Sequence, residues 1–175
     1  LKKILLTLLG FMTISNAIAL ELPISFTSKF SQTITTPSKK TIIYNGDVSY
    51  NSPSLLKWSY SSPTKKEVCT DSKLVLVVDH HLEQVSMFKI TKGFNLPAVI
   101  KSAKSVGNGE FVAQHDNKKF YIRTISNNQL SQISYIDELD NKVVVNFNNI
   151  KYLKTPINSS KLKCNYPSTY DIIEG

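Results

Sequence analysis

The chain has 175 residues, 41% of them hydrophobic and 19% charged, with a formal net charge of +8. That length and apolar share give one domain with a core of its own and exclude a disordered chain, which needs low hydrophobicity together with high net charge. Two cysteines exclude a disulfide-dense mini-fold and an all-cysteine zinc framework, and no apolar run is long enough for a membrane-spanning helix.

Residues 1–19, LKKILLTLLGFMTISNAIA, open on Lys2 and Lys3 and continue as a mostly apolar stretch from Ile4 to Ile14. Ala17-Ile18-Ala19 then places small residues at the two positions a signal peptidase reads. The pattern predicts a signal peptide removed after Ala19 and a mature domain over 20–175. No cysteine follows the apolar stretch, so anchoring through a lipidated cysteine is not expected. Without Lys2 and Lys3 the charge balance is still about +6. Arg123 is the only arginine among the 21 basic residues, which argues against a nucleic-acid reader, a class that depends on guanidinium forks. The lysines form either a solvated coat or a surface drawn to anionic membranes or acidic partners, and net charge alone does not decide between the two.

After the leader, period two dominates. Thr41 to Tyr50 predicts a short strand pair about Asn45-Gly46, a strong turn dipeptide. Leu56 to Tyr60 alternates with Trp58 and Tyr60 on one face, and Ser61 to Thr64 reads as a turn. Glu67–Thr70, Leu74–Val78 and Leu82–Ile90 read as strands separated by turns at Asp71-Ser72 and at Asp79-His80-His81. Asn95 to Val106 interrupts the rhythm. Pro97 suits a first helical turn, Val99, Ile100, Ala103 and Val106 share one helical face, and Gly107-Asn108-Gly109 ends the run. The four remaining strands, Phe111–Gln114, Lys119–Ile125, Leu130–Ile136 and Val143–Leu153, are joined by short Asn/Asp turns. The fold class expected is mainly β, a curved antiparallel sheet whose concave side receives the single amphipathic helix.

Catalytic chemistry is not offered. No nucleophile elbow, phosphate loop or dinucleotide fingerprint is present, so no catalytic residue and no cofactor is expected. His80 and His81 are adjacent and on a strand would point to opposite faces, which does not suit a metal site. In an oxidising compartment two cysteines allow one pairing, Cys69 with Cys164.

An ordered set of motifs carries a resemblance. Phe26-x-x-x-Phe30-x-Gln32 is followed by Gly46-Asp47-Val48, then by Pro53-Ser54-Leu55-Leu56-Lys57-Trp58. Thr70-Asp71-Ser72-Lys73 and Leu82-Glu83-Gln84-Val85 complete the series. In this order the motifs resemble the family of periplasmic outer-membrane lipoprotein carriers, LolA, most strongly over 26–90. The resemblance implies an unclosed antiparallel half-barrel with a helical lid over an apolar cavity. It implies a chaperone without covalent chemistry that accepts triacylated lipoproteins from an inner-membrane lipoprotein-releasing ABC transporter. Delivery is to an outer-membrane receptor or to the outer membrane itself. A periplasmic monomer that binds no nucleic acid is expected.

Position by position, the resemblance places Trp58 near the cavity mouth and Phe88, Ile90, Phe94, Leu96, Val99 and Ile100 along the acyl site. Leu55 and Leu56 fall where the inner-membrane partner docks. Ser52 stands where the family has an arginine that latches the lid, so a more open lid is expected in the empty protein. The helix that usually precedes the first Phe motif is largely missing, since only Leu20 to Ile24 are left for it. Two other readings compete with the carrier. One is a related half-barrel for another lipid, and the other is a periplasmic adaptor with an apolar groove for a peptide.

Overall fold

The computed structural model describes residues 19–71, 73–89 and 95–174. The alternating segments become twelve strands. The first six are β1 (Ser25–Thr35), β2 (Thr41–Asn51), β3 (Leu55–Ser62), β4 (Lys66–Thr70), β5 (Leu74–Asp79) and β6 (Gln84–Lys89). One helix, α1 (Leu96–Lys101), leads into β7 (Lys104–Gly107), β8 (Glu110–His115), β9 (Lys118–Ile125), β10 (Gln129–Ile136), β11 (Lys142–Leu153) and, at the end, β12 (Asp171–Glu174). They form one sheet in the order β12-β6-β5-β4-β3-β2-β1-β11-β10-β9-β8-β7, and the two end strands do not pair with each other. Neighbours run antiparallel except β12, which lies parallel to β6.

Alternation decides which side of the sheet is apolar. Phe26 and Phe30 of β1, Phe120 and Ile122 of β9, and Val143, Val145 and Phe147 of β11 all point to the inner face, where they join one core. Helix α1 lies on that face and buries Leu96, Val99 and Ile100 in it. Leu20 is buried there too, although residues 19–23 carry no helix. The signal-peptide reading falls on 1–18, outside the described residues.

Two expectations are corrected. Asn45-Gly46 makes no turn and lies inside β2, and the β1–β2 hairpin turns at Thr36–Lys40 instead. Gly46 is needed for closeness: a Cβ there would fall 2.1 Å from the Ser59 carbonyl oxygen and 2.9 Å from a ring carbon of Phe30. The predicted helix is also shorter than its apolar spacing suggests. It ends at Lys101 with Ser102 as C-cap, and Val106 lies exposed in β7, whose backbone pairs with β8. One turn of apolar spacing could not compete with a sheet edge left open for pairing.

The C-terminal segment returns along the outer face of β3 to β6. Ser25 Oγ donates to the Thr155 carbonyl at 2.7 Å. The buried Asn51 amide accepts from Ile157 N–H at 2.8 Å and donates to the Ile157 carbonyl at 2.6 Å. Lys57 donates to the Lys163 carbonyl, and Asn165 N–H to Glu67. Cys69 and Cys164 are joined by a disulfide with their Cα atoms 5.7 Å apart. Val78 and Val85 share this outer face with Cys69 and are fully buried, although they lie outside the inner core.

Candidate functional site

An open cavity of about 360 Å³ occupies the inner face at the end of the sheet where the β2–β3 and β4–β5 turns lie. One wall is built by alternation along β3, which turns Leu56, Trp58 and Tyr60 inward, with Val68 and Thr70 of β4 and Val75 of β5 beside them. Tyr135 of β10 and Val145 of β11 form the opposite wall. Phe88 stands at the mouth, 43% exposed. The start of α1 supplies the remaining boundary through Asn95, Leu96 and Pro97.

The helix is short but well fixed at its start. The Asn95 side chain accepts from Ala98 N–H at 3.1 Å, and Pro97 sits in the first turn, where no N–H is missed. Leu96 faces the cavity, while Val99 and Ile100 seat the helix in the core. Apolar burial of Leu96, Val99 and Ile100 thus holds α1 against the sheet. Ser52 is exposed, and its backbone N–H donates to the Ile24 carbonyl at 2.8 Å. Arg123, exposed on β9, pairs with Glu110 at 3.0 Å.

Several of the cavity's polar groups are committed to structure. Tyr60 donates to Gln32 Oε1 at 3.0 Å. Burial pushes the Tyr60 phenol far above its ordinary range, with smaller contributions from Tyr135 and Tyr44. Burial and then the Asp137 charge push Tyr135 up to about 12. At the mouth, the Asp71 carboxylate accepts from Lys73 N–H at 2.7 Å and Leu74 N–H at 2.8 Å, in the order 2.7 then 2.8 along the turn. The Leu74 and then the Lys73 N–H hold its pKa below the usual carboxylate range. Asp71 and Lys89 are the charged groups among the described residues lining the cavity. Glu67, Cys69 and Cys164 gather closely on the outer face, but the two sulfurs are bonded to each other and offer no thiolate to a metal.

Trp58, Phe88 and Leu96 therefore line the cavity, while Val99 and Ile100 sit in the core beneath the helix. Ile90 and Phe94 lie outside the described residues. Leu56 points inward and is 2% exposed because it shares the phase of Trp58, and Leu55 is the half-buried residue of the pair. Tyr60, Val68, Val75, Tyr135 and Val145 were missed. For Tyr60 a signal existed in its alternation with Trp58, but Tyr135 and Val145 come to the site only through the sheet order.

Residues 24–95 match the family model described as outer membrane lipoprotein carrier protein LolA. A Campylobacter jejuni protein named outer-membrane lipoprotein carrier protein is 34% identical over 95% of this chain and 96% of its own length. A protein of the same name from Wolinella succinogenes is 30% identical over 71% of this chain and 73% of its own. Among solved structures, an uncharacterized conserved protein from Thermus thermophilus superposes with a TM-score of 0.56 at 11% identity, covering 88% of this chain and 92% of its own, a likeness of fold.

Proposed function

This chain belongs to the outer membrane lipoprotein carrier family, LolA, and from that premise we propose that its inner-face cavity shields the acyl chains of lipoproteins on their way through the periplasm. The observation that carries this reading is an apolar hollow that the protein leaves open on a sheet whose other half is filled. An acyl chain of ~15 methylenes costs roughly 12 kcal/mol to expose to water, at ~0.8 kcal/mol per methylene. A lipoprotein cannot cross an aqueous space at that cost without cover. Cover must also be reversible, which favours a partly open, adjustable wall over a closed jigsaw pocket.

The protein acts as a carrier and chaperone of lipoproteins. We assign Trp58, Phe88 and Leu96 to the acyl site and Leu55, beside the exposed β2–β3 turn, to docking on the inner-membrane partner. Cargo comes from a lipoprotein-releasing ABC transporter and passes to an outer-membrane receptor or to the membrane itself. The mature monomer begins after Ala19.

Release of lipoproteins tests this. Purified protein added to spheroplasts that contain its own inner-membrane partner is expected to bring acylated lipoproteins into the soluble fraction as one-to-one complexes. Phe88→Asp, at an exposed position where the fold tolerates charge, is expected to cut that release at least tenfold. Equal recovery of a non-acylated form of the same cargo would overturn the acyl-shielding reading.

A further inference from the structure

The inner-face groove continues past the cavity. Toward the β1–β2 and β3–β4 turns a second hollow of about 220 Å³ opens. Gln32, Tyr60 and Val68 belong to the walls of both. The rest of its lining is Ile34, Tyr44, Thr64 and Lys66, and the Lys66 ammonium is drawn off to Asp79 at 3.0 Å. What remains facing the hollow is mostly aliphatic and aromatic.

Tyr60 is the divider. Its ring stands edge-on to Phe30 at 5.0 Å and to Tyr44 at 5.8 Å, and its hydroxyl reaches from β3 over β2 to Gln32 on β1. It can do so because its register partner on β2 is Gly46, which has no side chain to hold the ring upright. Two edge-on ring contacts and one neutral hydrogen bond hold the divider, each a modest contribution, and a chain that buries several further methylenes gains enough to displace the ring.

We propose that the second hollow is the far end of the acyl site, entered past Tyr60, and that Tyr60 with Gln32 sets the carrier's preference for acyl-chain length. The inference rests on the reading of the first cavity as the acyl site. That cavity lies at the small end of the ~300–1,000 Å³ typical of ligand pockets. A long chain fills it and has one continuous apolar direction in which to extend. Short chains stop at the closed divider, whereas long ones displace the ring and bury their last methylenes against Ile34, Tyr44 and Val68.

The test is a competition series with synthetic lipopeptides whose acyl chains run from about 8 to about 16 carbons, where each newly buried methylene is worth about fourfold in affinity. The wild-type chain is expected to gain affinity through the whole series. Thr64→Trp fills the second hollow from its exposed rim and is expected to flatten the gain for the longest chains. Tyr60→Phe keeps the ring but frees it from Gln32, and is expected to favour long over short chains by about fivefold. Folding of each variant is checked by its melting profile, and Tyr60→Phe carries the test if Thr64→Trp does not fold. Folded variants with the wild-type dependence on chain length would overturn the proposal and leave the carrier reading intact. Failure of the wild type to bind any lipopeptide would overturn both.

Discussion

On β8 to β11 the inner face is filled: Phe111, Phe120, Ile122, Leu130, Ile133 and Val143 are each no more than 2% exposed, and the outer face is bare. On β3 to β6 the arrangement is reversed. Leu56 and Trp58 of β3 are buried, but the inner face of β4 to β6 is left partly open along the cavity, and the outer face carries the returning C-terminal segment and its disulfide. A sheet region whose inner face stays open cannot draw its stability from dense packing on that side. In this molecule the missing contacts are supplied from behind. The strap fixes β3 to β6 without occupying the groove.

The largest test of that contrast is removal of the disulfide. The Cys69→Ser, Cys164→Ser double variant opens a link between residues 95 apart, and the loop-entropy model gives a loss of about 4–5 kcal/mol for a closure of that length. Denaturant unfolding measures it, and mass before and after reduction establishes the bond. Hydrogen exchange in the variant should rise first in β4 to β6. An equal rise in β8 to β11 would break the comparison. In the filled half, Phe120→Ala should cost about 3–5 kcal/mol, since a fully enclosed aromatic leaves a cavity that cannot collapse. The matching change in the open half, Val75→Ala, should cost below about 1 kcal/mol by the same measurement, because its side chain already borders open space.

The same division explains what could be read from residues alone. Strands β8, β9 and β11 were legible because each alternates between a filled face and a more exposed one, and in β3 Trp58 and Tyr60 share a phase that the structure keeps. Asn45-Gly46 misled because local turn preference is identical whether the glycine serves a turn or a close approach. Here the Ser59 carbonyl and the Phe30 ring demand the glycine. Val106 misled because it matches a helical face equally well as a residue in a sheet-edge strand. Of the strap, the sequence offered only the expected pairing of Cys69 with Cys164. Residues 154–170 have no period, and their partners Asn51, Lys57 and Glu67 lie about a hundred positions earlier. The cavity was half legible: its β3 wall is local, and its far wall of Tyr135 and Val145 depends on a sheet order in which β1 pairs with β11.

The proposed function puts cargo in the open half. Hydrogen exchange of the full protein with and without a bound acylated lipopeptide addresses it directly. The predicted result is new protection in β3 to β6 and at the start of α1, with β8 and β9 unchanged. Protection confined to β8 and β9, or spread evenly over the sheet, would contradict it.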